Sequence, residues 1–179
     1  MELDWAAVLA GADRWVLVAN LPYNVATPLV LDLLDDVSAI ERMLVMVQLE
    51  AGERLVAEPG SAAYGIPSVK VAFHARAELV GTVGPNVFLP KPKVESALVS
   101  ITRHPGGRAP EAAGADPERL FALVRAGFGQ RRKMLRRSLA GLLGSEAIEA
   151  AGVDPQARAE NVTLAQWATL AAQPARTEA

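Results

Sequence analysis

A short apolar, mostly β-branched run that stops at an amide, a proline and an aromatic constrains this chain more than any other stretch. Trp15-Val-Leu-Val-Ala19 runs straight into Asn20-Leu-Pro-Tyr23. Residues 15–19 are too few for a helix and read as a buried strand. Pro22 has no N–H to give a sheet ladder, so the strand must end by that point. Asn20 and Tyr23 are thereby placed at the C-terminal end of a strand, where ligands bind in open α/β sheets.

The next residues keep an α/β rhythm. Thr27-Pro28 reads as an N-cap with proline at the first helical position, and Val30, Leu33 and Leu34 form one helical stripe ending at Asp35-Asp36. Residues 43–49 read as a second buried strand and 50–58 as a helix closed by Pro59-Gly60. Strand, helix, strand, helix is the order of a parallel sheet with crossovers. Before it, 2–11 reads as a short helix or strand remnant leading to Gly11. Tyr64-Gly-Ile-Pro-Ser68 is a turn feeding a helix or strand through Phe73, and 77–83 and 97–101 read as two further strands.

From Gly84 to Ser96 the chain holds Pro85, Pro90 and Pro92, with Lys91 and Lys93 beside them, and follows neither period. Phe88 is its one large aromatic; the residues alone fit a plug at the core edge as well as a functional role. His104 to Asp116 is rich in Pro, Gly and Ala without periodicity and is the expected linker. Beyond it the pattern is helical: Leu120, Leu123, Val124 and Phe128; then Leu135, Leu139 and Leu142; then 145–151 and 163–172. The expected domains are therefore 1–104 (α/β), a linker at 105–116, and 117–179 (all-α).

Composition removes several classes of function. Hydrophobic residues make up 51% of the 179 and charged residues 21%, which is a globular balance. The formal net charge of −2 rules out a uniformly basic coat, so any polyanion-binding surface must be local. With no cysteine, disulfides and thiolate zinc sites are absent. His74 and His104 are far apart in sequence with no ligand cluster, so no metal is expected. No apolar run reaches the length of a membrane span and the acidic start is unlike a leader, which fits a cytoplasmic setting without a membrane partner.

Local basicity is found from Arg125 to Arg137, where Arg125, Arg131, Arg132, Lys133, Arg136 and Arg137 occur without an acid, six of the chain's 18 Lys+Arg. At about 100° per residue, Leu135, Leu139 and Leu142 share one helical face, and Arg132, Lys133, Arg136 and Arg137 the opposite arc. Such a stripe suits phosphates; a solvated helix face has the same pattern.

Asn-Leu-Pro-Tyr at a strand end suits methylation of an exocyclic amine on a base. The amine is a poor nucleophile because its lone pair is delocalised into the ring. The Asn20 side-chain oxygen can accept one of its N–H groups, and a backbone carbonyl freed by the proline turn the other. Lone-pair density then returns to nitrogen, while Tyr23 stacks on the flipped base. Positioning and electrostatics do the work, without metal or covalent intermediate. A plain strand-to-helix turn has the same four residues.

Taken in order, Asn20-Leu-Pro-Tyr23, Gln48-Leu-Glu50 with Arg54-Leu-Val-Ala57, Tyr64-Gly65, Phe88-Leu-Pro-Lys-Pro-Lys-Val-Glu-Ser96-Ala97 and Phe128-Gly-Gln-Arg-Arg-Lys-Met-Leu-Arg-Arg-Ser138-Leu139 resemble the small-subunit rRNA adenine dimethyltransferase family (KsgA/RsmA). The likeness runs from about Leu3 into the C-terminal tail, where Arg158-Ala-Glu-Asn161 also fits. It implies a partial Rossmann-like methyltransferase sheet followed by a small helical RNA-binding domain. It further implies S-adenosylmethionine as methyl donor, and as substrate two adjacent adenines near the 3′ end of small-subunit rRNA in the pre-30S subunit. Asn20 matches the residue that contacts cofactor and target amine, Leu21 and Pro22 the turn that supplies backbone carbonyls, and Tyr23 and Phe88 the two stacking aromatics. Lys91, Lys93, Arg125 and the basic residues from Arg131 to Arg137 are the expected RNA contacts.

Two departures stand out. Tyr64-Gly65 continues with Ile66-Pro67-Ser68 where the family usually has Arg-Leu-Ser. The family's glycine-rich loop after its first strand, and the acid after its second, have no counterpart: Gly127-Phe-Gly129 lies in a helical pattern and Gly106-Gly107 in the linker. The chain thus reads as the C-terminal two-thirds of such an enzyme without its cofactor-binding part, prone to self-association although the intact enzyme is expected to be a monomer. The alternatives are a large-subunit rRNA adenine methyltransferase conferring macrolide resistance, and a non-catalytic RNA-binding or ribosome-assembly factor.

Overall fold

The structure, a computed structural model, describes residues 4–175. The chain divides into two compact units: residues 1–56 with 74–108, and residues 57–73 with 109–179.

In the first unit, α1 (Trp5–Val8) is capped by the Asp4 carboxylate, which accepts from the Ala7 N–H at 3.1 Å. Part of the 2–11 reading lies outside the described residues. Then come β1 (Trp15–Asn20), α2 (Ala26–Asp36), β2 (Ile40–Gln48) and α3 (Leu49–Val56), and after the excursion into the second unit β3 (Ala75–Val83) and β4 (Ser96–Arg103). The sheet order is β1-β2-β4-β3. β1 and β2 are parallel, as the crossover order demands, but β4 is antiparallel to both β2 and β3. Only the first pair has a helical crossover; β3 and β4 are joined by the loop carrying Phe88, and a loop connection returns the chain antiparallel.

Leu17, Ala19, Met43, Val45, Val99 and Ile101 lie on one sheet face by register. Val30, Leu33 and Leu34 of α2 and Leu55 of α3 are buried in the same unit. Burying each such side chain is worth about 1.5–3 kcal/mol. α3 comes close enough that a Cβ on Gly52 would stand 2.9 Å from that of Ala97. On the other face Val16 and Val18 are 54% and 72% exposed. The sequence suggests a central strand buried on both faces; among the described residues β1 pairs with β2 alone and is the sheet edge.

α2 starts two residues before the expected cap. Val25 is its N-cap, without a side-chain bond, and Thr27 and Pro28 lie inside the first turn. Proline is tolerated there because first-turn N–H groups have no intrahelical acceptor. The other end is closed by Arg103. Its guanidinium donates to the carbonyls of Leu33 (2.7 Å), Leu34 (2.8 Å), Val37 (3.0 Å) and Ile40 (2.8 Å). His74 Nε2 meets the Asp35 carboxylate at 2.9 Å. Asp35, at the unfavourable end of the helix dipole, is thus set against the Arg103 guanidinium from β4 and the His74 imidazole at the end of α4.

The second unit holds α4 (Ile66–His74, up to Phe73), α5 (Pro117–Gly129), α6 (Leu135–Ser138), α7 (Ser145–Ala150) and α8 (Leu164–Ala172). Asp116 caps α5 and Thr163 forms a capping box with Gln166 at α8. Tyr64, Val69 and Phe73 are buried in one core with Leu120, Leu135 and Trp167. The sequence places 57–73 with the first domain; its apolar side chains instead complete the helical core. Tyr64 donates its hydroxyl to the Val162 carbonyl at 2.9 Å, and burial pushes its pKa up to about 12. Gly127 sits under Trp167: a Cβ there would lie 2.8 Å from the indole.

The basic stretch is not one helix. Arg131, Arg132 and Lys133 lie in a turn, and α6 spans four residues. Leu135 and Arg136 give their N–H groups to the carbonyls of Ala157 (2.8 Å) and Pro155 (3.0 Å), so the preceding turn receives no helical bonds from them. Leu135, Leu139 and Leu143 are buried, while Leu142 is 38% exposed.

Candidate functional site

Asn20 is the last residue of β1, and Leu21 adds one more rung by donating its N–H to the Met46 carbonyl at 3.1 Å. Pro22 cannot continue the ladder. Its carbonyl turns inward and accepts from Val25 N–H (3.1 Å) and Ala26 N–H (3.0 Å), which winds the chain into α2. Leu21 is buried and pins the turn, while Asn20 and Pro22 are exposed. Two acceptors in consecutive residues that line one cavity are left over. Among the described residues no hydrogen bond involves the Asn20 side chain or reaches the Leu21 carbonyl. The sequence offers the carbonyls of both Leu21 and Pro22 as acceptors at the turn; the Pro22 carbonyl is taken up by its own two N–H partners.

The loop between β3 and β4 returns to this turn. Asn20, Leu21, Pro22, Tyr23, Phe88, Pro90 and Pro92 line one cavity of about 340 Å³. Tyr23 and Phe88 are both half-buried. A ring with one face on the cavity suits stacking, whereas a core plug would be closed on all sides. Lys91 and Lys93 are exposed on either side of Pro92. The Tyr23 hydroxyl meets Ser96 Oγ at 2.7 Å, and Ser96 is fully buried. Pro90, Pro92 and Ser96 have no individual role in the sequence reading. A serine at an inward-facing position of an apolar strand was the available signal for the last of them.

A larger cavity, of about 700 Å³, lies at the opposite end of β2 against Glu41, Arg42, Thr102, Arg103 and His104. No Phe, Tyr or Trp lines it, and the Arg103 guanidinium there is committed to the end of α2. The two histidines, distant in sequence, are joined through their backbones: the His104 main-chain N–H donates to the His74 carbonyl at 3.0 Å. Among the described residues no group of three His, Cys, Asp or Glu side chains is placed to hold a metal, and no helix is long and apolar enough to cross a membrane.

The remaining basic candidates all lie in the second unit. Arg125 is exposed on α5, and Arg132, Lys133, Arg136 and Arg137 are exposed at and before α6. Arg131 differs. Its Nε meets the Glu160 carboxylate at 3.0 Å and an Nη donates to the Ala62 carbonyl at 2.8 Å. Arg131 thus ties the turn to two other segments while its side chain stays exposed.

The sequence of residues 6–175 matches the family model described as ribosomal RNA adenine dimethylase. A protein of Kineococcus radiotolerans named ribosomal RNA small subunit methyltransferase A is 52% identical over 171 residues, covering 93% of this chain and 56% of that protein. Its namesake in Bifidobacterium adolescentis is 50% identical over 164 residues, covering 89% and 54%. The chain therefore spans about half the length of the curated relatives it matches. Among solved structures, a dimethyladenosine transferase from Plasmodium falciparum superposes with a TM-score of 0.68 at 19% identity, covering 87% of this chain and 64% of that one. The 23S rRNA methyltransferase ErmE gives 0.67 at 24% identity, covering 88% and 64%. These neighbours share the Rossmann-like methyltransferase fold, of which the four-stranded sheet here is a part. With the match running through the site turn, the β3–β4 loop and the helices alike, this chain belongs to the ribosomal RNA adenine dimethylase family.

Proposed function

We propose that this chain carries the base-handling portion of an rRNA (adenine-N6,N6)-dimethyltransferase acting on two adjacent adenines near the 3′ end of small-subunit rRNA. The observation that carries this reading is the pair of unpartnered acceptors, Asn20 Oδ1 and the Leu21 carbonyl, beside two half-buried aromatics in one cavity. An exocyclic amine has two N–H groups. One directed at each acceptor draws both protons out of the ring plane and restores lone-pair density to nitrogen. Tyr23 and Phe88 hold the flipped ring by stacking, so the amine stays at the end of β1. Lys91 and Lys93 flank the cavity and are assigned to the phosphates next to the flipped nucleotide.

S-adenosylmethionine, when bound, supplies an electrophilic methyl group. Of the residues present, Asn20 fits it, as an exposed amide at the strand end where such folds place ligands. Among the described residues no glycine-rich turn of the Gly-x-Gly-x-Gly kind follows a strand; the residues at the end of β1 are assigned to capturing, orienting and activating the base. Arg125, Arg132, Lys133, Arg136 and Arg137 are assigned to rRNA phosphates, with the pre-30S subunit as partner and the cytoplasm as setting.

The test joins this chain to the unmatched part of the Kineococcus radiotolerans relative and supplies undermethylated ribosomal subunits with the methyl donor. Primer extension should stop at two adjacent adenines near the 3′ end of the small-subunit rRNA. Stops confined to the large-subunit rRNA would replace this reading with the other methyltransferase. RNA binding without any stop would leave the assembly-factor reading.

A further inference from the structure

We infer that Ser96 is a positioning residue for the stacking platform: its hydroxyl fixes the ring of Tyr23, and so sets the orientation in which a purine is received. The inference rests on the base-stacking role proposed for Tyr23.

Ser96 is fully buried at the start of β4, in the run Ser96-Ala-Leu-Val, where an apolar small residue would serve packing alone. A buried hydroxyl is retained at no net cost only when it has a partner. The partner is the Tyr23 hydroxyl at 2.7 Å, contributed from 73 residues away. Tyr23 is thus held at both ends. Its backbone is set by the Pro22 turn, whose carbonyl takes two N–H bonds, and its ring tip by Ser96. Ser96 is also where the loop bearing Phe88, Pro90 and Pro92 enters the sheet. Its register partners are Gln48 of β2 and Val83 of β3, so the anchor sits in a paired central strand. The bond therefore ties one aromatic wall of the cavity to the strand that carries the other. A free phenol ring rotates about its side-chain bonds; a ring held at its tip presents one face, and ordering is completed before the base arrives.

The test uses the full chain and a single-stranded RNA oligonucleotide with 2-aminopurine at the target position, whose emission is quenched on stacking. Ser96→Ala and Tyr23→Phe should each weaken quenching and raise the Kd about three- to tenfold, the scale of one hydrogen bond. The double variant should lose no more than either single one, because both remove the same bond. Thermal midpoints separate positioning from simple stability. Tyr23→Phe leaves the buried Ser96 hydroxyl unpaired, so the double variant should recover midpoint relative to it while quenching stays weak. Quenching that recovers with the midpoint overturns the inference, as does unchanged quenching in Ser96→Ala when Tyr23→Leu abolishes it. If Tyr23→Leu and Phe88→Leu both behave as wild type, the stacking role itself falls. A second measurement needs no RNA. Ring order of Tyr23 by NMR, with Tyr64 as the only other tyrosine and internal reference, should drop in Ser96→Ala; an unchanged ring order overturns the inference.

Discussion

On the proposed function, Asn20→Ala removes one of two acceptors for the amine while leaving the Tyr23 and Phe88 rings in place. In an intact enzyme containing this chain, kcat should fall much more than RNA affinity, because the carbonyl acts mainly as the amine becomes tetrahedral. Single-turnover methylation would check this, and an unchanged single-turnover rate with weakened RNA binding would remove Asn20 from the chemistry. Phe88→Leu keeps an apolar filler but loses a π face, worth about 1–3 kcal/mol per stacked base; full retention of activity would make Phe88 a plug. His74 carries a different consequence. Burial lowers its pKa, the Asp35 carboxylate opposes that, and Arg103 adds to it, with a net shift below the ordinary 6.5. The folded chain therefore binds this proton less readily than the unfolded chain. Its stability should be full above 6.5 and should decline as pH falls below that value, and His74→Gln should flatten the decline in melting curves taken from about pH 8 to about pH 5. The grouping of Asn20, Leu21 and Tyr23 on one cavity was legible in the sequence because they are neighbours at one strand end, where covalent order nearly fixes geometry. Ser96 was not, because its meaning depends on a ring far away in sequence that only the sheet brings to it.

Among the elements, the basic stretch shows where periodicity misleads. Leu135, Leu139 and Leu142 satisfy a helical stripe, yet the chain bends at Met134, because residues 155 and 157 offer carbonyls to the N–H groups that would have continued a helix. The cations stay exposed after this change, and Arg131 adds contacts to Glu160 and the Ala62 carbonyl. Neutralising Arg132, Lys133, Arg136 and Arg137 together should lower the slope of log K against log salt for RNA by about 0.7 for each phosphate no longer neutralised. Arg131→Ala should instead mainly lower thermal stability, since it releases Glu160 and the Ala62 carbonyl. Equal salt slopes for the fourfold variant and the wild type would return these residues to plain solvated surface. Gly127→Ala tests the packing of α5 on α8. Helix propensity favours alanine by about 1 kcal/mol, but the new methyl meets the Trp167 ring, and overpacking costs about 1–3 kcal/mol. A lower melting temperature is expected. The sheet order was beyond the sequence, because strand direction is set by whether a helix or a loop joins the strands, and Phe88 to Ser96 satisfies no period that would decide it.

For the whole molecule, the strand at Trp15–Asn20 governs solution behaviour. An uncharged edge with Val16 and Val18 exposed is a template for pairing with another chain. The chain made by itself should therefore self-associate on size exclusion and bind S-adenosylmethionine negligibly by calorimetry. Val18→Lys, at a site 72% exposed, should shift it toward monomer without loss of secondary structure. A stable wild-type monomer that binds the donor at micromolar affinity would put the cofactor site elsewhere. The two-unit organisation was readable in outline from the aperiodic stretch after His104, but the interleaving was not: Ile66, Val69 and Phe73 fit a strand or a helix of either unit. That interleaving bears on how the protein is made. A ribosome releases residues 57–73 well before residues 109–179, and the core they share cannot close until the later stretch has emerged. Meanwhile Val69 and Phe73, buried at 0% and 2% exposure in the finished fold, lack the later residues that cover them. Vectorial synthesis thus imposes a waiting period on one helix, during which a holding chaperone, or slow translation of the segment after Arg108, would decide the yield.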